Sequence, residues 1–329
     1  MTTTTTPPTA AEVPVQKRTS IGKFLVQGGT TIALIALVLF FFAMRPDVFL
    51  TFTNVRNILF QVSILAIISG AQTLVMVVGD FDLSLAATSS LAGSVAASLM
   101  LDGTSTLPAI LVALVVGLGV GLANGFLVAY VGLSAFVATL ATMTSVTGLA
   151  YLVTEGTTLF DLPAGFDSLG QGRVLNIPVP VYIAIGLSVV LWGLLRFTTT
   201  GRKWYAIGGN VEVSRLSGIN VQRGRLLAFT AAGLISAVGG ILLAARLGSA
   251  SAVQGSDNLL FSVAAVFLGM TVIRSGRANL VGTMVGVAII GVMSNGLNIL
   301  GVNSYVQQVV TGLIIIAAVT LSSVRTRER

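Results

Sequence analysis

Apolar residues run along this chain in stretches of about twenty, each closed by a short polar or glycine-rich break. A helix of about 20 mainly apolar residues covers the hydrocarbon core of a bilayer. By that measure the chain carries about ten spans, at 28–44, 55–78, 84–101, 108–131, 134–154, 178–197, 225–246, 257–273, 280–299 and 303–321. The second and third are separated only by the residues around Gly79 and Asp80 and read either as two spans or as one broken, re-entrant arrangement. The pattern predicts an all-α polytopic membrane protein, because a helix satisfies its backbone hydrogen bonds within one segment.

Composition sharpens this. Of 329 residues, 54% are hydrophobic and 9% charged, where soluble domains carry about a quarter charged. Residues 1–22, rich in Thr and Pro, have nothing to bury and are expected to be a disordered tail. A membrane domain is expected over 23–324, with a cytoplasmic loop at about 198–224, followed by a basic tail at 325–329. The first span starts late for a secretory signal and no A-x-A site follows it, so it reads as an uncleaved helix.

Charge orients the bundle, because Lys and Arg accumulate in cytoplasmic loops. With the N-terminus inside and an even span count, every Lys and Arg except Arg45, Arg56, Arg173 and Arg246 falls on the cytoplasmic side. Both termini are then cytoplasmic. The net charge of +7 reads as a topology signal and an attraction to anionic lipid, not as a nucleic-acid footprint.

The chain contains no Cys and no His, which removes disulfides, thiolate chemistry, Cys/His metal sites and the usual proton shuttle. No catalytic residues and no metal site are expected. It also lacks a G-x-x-x-x-G-K-[ST] loop, so no cofactor is expected on this chain, and any ATP and Mg²⁺ would be held by a partner.

Polar residues inside apolar runs carry the remaining information. Asp80 and Asp82 interrupt a long apolar stretch. They read either as a broken helix beside a transport pathway or as a turn in which Asp82 caps the next helix. Asn124 and Asn295 each precede a Gly late in a Gly-rich span. With Asp82 and Asp257 at comparable offsets, they point to an inverted five-helix repeat, the first five spans recurring as the last five; the alternative is interhelical hydrogen bonding alone. Gly117, Gly121 and Gly125, like Gly282 and Gly286, have the four-residue spacing of closely packed helices.

The longest internal polar segment runs through Gly201, Gly208, Gly209, Asn210, Glu212, Arg215 and Gly218. Asn210 suits the cap of a short helix with Glu212 in its first turn, and Gly218 its end. Such a helix standing off a membrane bundle suits docking of a cytoplasmic partner; the plainer reading is a basic loop at the lipid surface.

Here the chain resembles a known family, the membrane permease subunits of bacterial ABC importers for ribose, xylose, galactose and related monosaccharides. The resemblance covers nearly everything after the N-terminal tail. It rests on Ala71-Gln72-Thr73-Leu74-Val75 through Asp82-Leu83-Ser84, on Phe136 through Thr142-Met143, on Tyr205-Ala206-Ile207-Gly208-Gly209-Asn210 with Arg215-Leu216-Ser217-Gly218-Ile219, and on Val281-Gly282-Thr283 through Asn295-Gly296-Leu297-Asn298. It implies a bacterial inner-membrane location, a dimeric pore with a second permease copy, an ABC ATPase on the cytoplasmic face, and an extracytoplasmic sugar-binding protein. It also implies that the segment with Gly208, Gly209, Asn210, Glu212, Arg215 and Gly218 is the ATPase-coupling helix. Asp80, Asp82, Asn124, Thr139, Thr142, Asn295 and Asn298 are the candidates to line, buttress or gate the pathway, and the external loop 155–177 is a candidate contact for the binding protein. Two segments depart from the family pattern: Val213-Ser214 follows Glu212 where Ala-Ala is usual, and 269–277 carries Arg274 and Arg277 in place of a Gly-rich turn. Competing readings are an ion-coupled transporter working through Asp80 or Asp82, a non-transporting scaffold, and an ABC permease for a polyol, furanosyl signal or branched-chain amino acid.

Overall fold

The computed structural model describes residues 20–271, 276–303, 305–310, 312–313 and 316, with side chains of the first helix from Thr30 onward. Residues 1–19 of the expected tail, nine of the nineteen residues of the expected span 303–321, the basic C-terminus and Arg274 lie outside the described residues. The chain is an all-α membrane protein. Its helices are α1 (Ser20–Met44), α2 (Phe52–Val77), α3 (Leu85–Leu101), α4 (Thr106–Phe126), α5 (Ala135–Thr154), α6 (Ala164–Gln171), α7 (Val179–Phe197), α8 (Thr199–Gly209), α9 (Val211–Leu216), α10 (Val221–Leu247), α11 (Asp257–Met270) and α12 (Leu280–Ile299). A π-helical turn, Leu127–Val131, extends α4, and a two-stranded hairpin pairs β1 (Arg173–Val174) with β2 (Ile177–Pro178).

By length and apolar composition, α2, α4 with its π turn, α5, α7, α10 and α12 are able to cross a membrane; α1 from Thr30, α3 and α11 are apolar but shorter. Helix α1 begins at Ser20, inside the expected 1–22 tail, and α10 begins at Val221, ahead of the expected 225. Three further features were not anticipated: the helix α8 in the expected 198–224 loop, the short helix α6 with its hairpin in the 155–177 loop, and the π turn.

Helix starts follow local capping chemistry. The Asn210, Asn220 and Asn279 side chains accept the backbone N–H of Val213, Arg223 and Gly282 at 3.0, 2.9 and 2.8 Å, each such cap being worth about 1 kcal/mol. Thr51 does the same for α2, accepting from Asn54 at 3.3 Å.

Helices α2 and α10 form the centre. In its most apolar stretch α2 is 72% buried and α10 67%, against 22% in α4 and α5. Helix α10 packs along α2, α3 and α4, while α2 packs along α10, α11 and α12. The glycine rows allow this. A Cβ at Gly117 would lie 2.8 Å from the carbonyl oxygen of Gly233, and one at Gly125 would lie 2.9 Å from the Leu226 Cα. Gly282 and Gly286 face the backbones of Gly269 and Ala265 in the same way. Both rows are therefore backbone-to-backbone crossings, the packing reading of their spacing.

Candidate functional site

Residues 78–84 join α2 to α3, and four neighbouring helices hold them. Gly79 turns the chain at φ +88°, a conformation open to glycine without strain. Asp82 is fully buried; its Oδ1 accepts from the Ser84 backbone N–H at 2.8 Å and the Ser84 hydroxyl at 2.6 Å. The Asn124 amide of α4, also fully buried, donates to the Ser84 hydroxyl oxygen at 2.7 Å and to Asp82 Oδ2 at 3.4 Å. Thr139 of α5 accepts from the Leu83 N–H at 3.1 Å and donates to the Ala135 carbonyl at 2.7 Å. The Ser236 hydroxyl of α10 donates to the Leu85 carbonyl at 2.5 Å. Asp82 thus caps the approach to α3 from two residues ahead of the N-cap Ser84, which makes no side-chain cap bond of its own.

Asp80 meets Arg225 of α10, with Oδ2 2.9 Å from Nε. Neither atom has a hydrogen-bond partner, so the pair is a charge contact rather than a directed hydrogen bond. Burial pushes the Asp80 carboxyl above the usual carboxylate range and the guanidinium pulls it back down. Arg225 was not singled out from sequence, where it read as one more basic residue near the start of a span.

The end of α8 abuts this junction. A Cβ at Gly208 would strike the Val77 carbonyl and come within 3.1 Å of the Gly79 nitrogen, whereas one at Gly209 would meet only the Arg277 guanidinium at 3.6 Å. A cleft of about 210 Å³ opens between Asp80, Tyr205, Gly209, Phe267 and Arg277. Beyond it α9 stands outward: Asn210 caps it, Glu212 in its first turn pairs with Arg215 at 3.4 Å, and Gly218 ends it at φ +78°. Val213 and Leu216 on this helix are 58% and 81% exposed.

Asn295 and Asn298 lie elsewhere. Asn295 and Asn54 exchange amide hydrogen bonds at 3.0 Å, and exposed Asn298 accepts from Gln307 at 2.8 Å. Asn54 and Asp80 flank opposite ends of α2, whose 26 residues rise about 39 Å. The sequence candidates therefore form two groups: Asp80, Asp82, Asn124 and Thr139 meet at one end of the bundle, Asn295 and Asn298 lie at the other. Thr142 is half-buried on α5 and joins neither through a hydrogen bond.

Two residues that carry the resemblance but had no role from sequence are Gln72, fully buried in α2 with both amide atoms unpartnered, and Thr73, which shares a 2.9 Å hydrogen bond with Thr283 of α12. Their signal was available: consecutive polar residues in the middle of an apolar run.

Residues 54–319 match the family model of branched-chain amino acid transport system permease components. The ribose import permease of Bacillus subtilis is 39% identical over 308 residues, covering 93% of this chain and 95% of the relative. The D-allose transport system permease of Escherichia coli is 33% identical, covering 94% and 96%, and the L-arabinose transport system permease of the same organism 31%, covering 91% of each. The chain belongs to the membrane permease subunits of monosaccharide ABC importers. No solved structure matches it.

The permease is a multi-pass component of the bacterial inner membrane. It moves a solute and is not itself an enzyme, and a subunit of this kind works with an ATPase and a binding protein. Within it, Gly208 and Gly209 are neighbours with different duties. Gly208→Ala is expected to displace α8 from the α2 end and lower the thermal midpoint in detergent by several degrees, a cost of about 1–3 kcal/mol. Gly209→Ala should leave that midpoint within a degree. Equal midpoints for the two variants would refute the close packing at Gly208.

Proposed function

We propose that the permease imports a pentose- or hexose-sized monosaccharide of the ribose class, driven by an ABC ATPase docked on α9. The observation that carries this reading is α9 itself. A capped six-residue helix presents Val213 and Leu216 to solvent, and two large apolar side chains held out on a polar connection are an anchor awaiting a pocket. Val213 and Leu216 supply the apolar contact in this chain, with the Glu212–Arg215 pair beside them. ATP and Mg²⁺ are held by the ATPase, and this chain contributes no nucleotide site.

The basic distribution supports placing α8, α9 and both termini in the cytoplasm. On the opposite side Arg56, Arg173 and Arg246 line a cleft of about 290 Å³ with Gln171 and no Asp or Glu. That surface suits an acidic patch on an extracytoplasmic sugar-binding protein, with the hairpin of the 155–177 loop as its rim. The neighbour relations support ten spans in inverted halves: α2 with α11 and α12 mirrors α10 with α3 and α4, and α3 with α4 mirrors α11 with α12. Two copies form the pore. Rocking of the copies, transmitted from α9 through α8 to the 78–84 junction, opens the pathway alternately to each side. Asp80, Asp82, Asn124 and Thr139 buttress its inner end, while Asn295 and Asn298 hold the outer end of α12. Thr142, half-buried on α5, is the candidate to face the passage. In this reading Asp80 balances Arg225, in place of the ion-coupling role that the carboxylates invite from sequence alone.

The test is co-purification of the permease with candidate ATPase subunits, followed by ATP-dependent ribose, allose and arabinose uptake in vesicles. Val213→Asp/Leu216→Asp should weaken ATPase association by about 30-fold or more, the scale of losing a hot spot of about 2 kcal/mol, and abolish uptake at an unchanged thermal midpoint. Uptake that persists without any ATPase, or is indifferent to the double variant, would sink the proposal.

A further inference from the structure

An open apolar groove of about 410 Å³ runs along the bundle between α2, α7 and α12. Its walls are aliphatic, from Leu59, Val62 and Ala66 on α2, Ile185 and Val189 on α7, and Met284 on α12. At one end it passes Trp192, Leu280 and Val281, and these same residues form the wall of a second cleft of about 610 Å³. The second cleft is chemically different. It holds the exposed guanidinium groups of Arg196 and Arg202 with Tyr205 and Asn279, and no Asp or Glu lines it. Arg202 Nη1 donates to the Phe197 carbonyl at 3.3 Å, which fixes its side chain while leaving other N–H donors of the fork to a ligand. Trp192 stands at the boundary, 42% exposed and edge-on to Phe197 at 5.1 Å between ring centroids, the placement of an aromatic side chain at a membrane interface.

A hydrocarbon slot opening onto paired arginines fits one ligand chemistry: an apolar tail joined to an anionic head. Arg196 and Ile185 are separated by about 16 Å of helix rise, close to half the roughly 30 Å hydrocarbon core. One acyl chain of one leaflet fits that distance. We infer that this continuous groove and cleft bind an anionic phospholipid, its phosphate on Arg196 and Arg202 and a chain along α2, α7 and α12. An acidic protein surface would satisfy the arginines and leave the aliphatic slot empty, and a zwitterionic lipid would fill the slot while offering the arginines a neutralised head. Basic pockets between transmembrane helices are recognised by anionic head groups through this combination. Its position matters. The head group would rest where α7 turns into α8, joining the α7–α8 corner to the start of α12.

The lipid site lies wholly within the membrane bundle and its basic end, so lipid binding is measured independently of sugar uptake. Permease purified in mild detergent would be titrated with phosphatidylglycerol, phosphatidylcholine and glycerol phosphate, reading bound lipid by native mass spectrometry and the thermal midpoint in parallel. Phosphatidylglycerol is expected to bind at one per chain and raise the midpoint, with phosphatidylcholine at least 10-fold weaker and glycerol phosphate without effect. Arg196→Gln/Arg202→Gln should lose at least 10-fold in phosphatidylglycerol affinity, and Arg196→Lys/Arg202→Lys should recover part of it. Val189→Trp, which fills the slot and keeps both charges, should lose lipid as well. Binding of glycerol phosphate as tight as the lipid would make this a site for a free anion and overturn the inference. So would unchanged lipid retention in the Gln or Trp variants, or loss of ATPase association in the Gln variant with lipid retention intact, which would assign the arginines to the ATPase.

Discussion

Asp82→Ala is expected to destabilise the permease by about 3 kcal/mol or more and to abolish sugar uptake. The carboxylate is fully buried and takes the Ser84 N–H, the Ser84 hydroxyl and the Asn124 amide. Removing it leaves the Ser84 N–H and hydroxyl without their acceptor in a buried site, while the Asn124 amide keeps only the Ser84 hydroxyl oxygen, and each buried donor without a partner costs about 1–3 kcal/mol. The entry to α3 and its tie to α4 would loosen together. Asp82→Asn keeps an acceptor oxygen of nearly the same shape and should cost about 1 kcal/mol, with partial uptake. Thermal midpoints in detergent and uptake in vesicles measure both. Should the Ala and Asn variants behave alike, the hydrogen bonds to the carboxylate carry no weight and the junction is held by packing.

Gly240→Ala should have an effect of similar size for a different reason. The Cβ it adds would press into the Ser89 backbone of α3, 2.7 Å from the Ser89 Cα. Backbone cannot rotate away as a side-chain tip can, so α3 and α10 must separate at their crossing. Overpacking of this kind costs about 1–3 kcal/mol, and here it opens the most buried part of the bundle, so the upper end is expected. Gly119→Ala is the control. Nothing lies within 4 Å of its added Cβ, and the exchange should be neutral or stabilising by up to about 1 kcal/mol, because Ala loses less backbone entropy in a helix. A shared loss of midpoint in both variants would mean that glycine is needed for helix flexibility rather than for close approach.

These two sites show where the sequence was readable. Because a span must be mainly apolar whatever it packs against, the hydrophobic runs placed α2 to α5, α4 taken with its π turn, α7 and α10 to α12 within about four residues at each end, while α1 begins eight residues ahead of its run. The short helix α9 was readable for a local reason: Asn210, Glu212 and Gly218 act on neighbouring backbone, and the cap, first turn and left-handed stop lie where those residue types direct. The glycine rows were readable as packing because spacing alone defines a helix face. What stayed hidden was partnership across distant segments. Nothing in the chain around Arg225 announces Asp80, since their meeting depends on how α10 starts beside the end of α2. Asn295 and Asn124 share a local pattern, yet one pairs with Asn54 and the other with Ser84 and Asp82. The pattern fixed the face each amide occupies and left its partner open. Helix α6 escaped for the opposite reason: it is an eight-residue helix outside the apolar runs, and its sequence carries no periodic signal of useful length.

Helices α2 and α12 are fastened at successive levels by Asn54 with Asn295, Gln61 with Ser294, and Thr73 with Thr283. An antiparallel pair riveted at its end, its shoulder and its depth cannot shear without breaking these polar contacts, and at the buried Thr73–Thr283 level no water is at hand to replace them. The pair is a spar: sliding α2 along α12 would break all three contacts at once, whereas a helix held by apolar packing alone has no such polar contacts to lose.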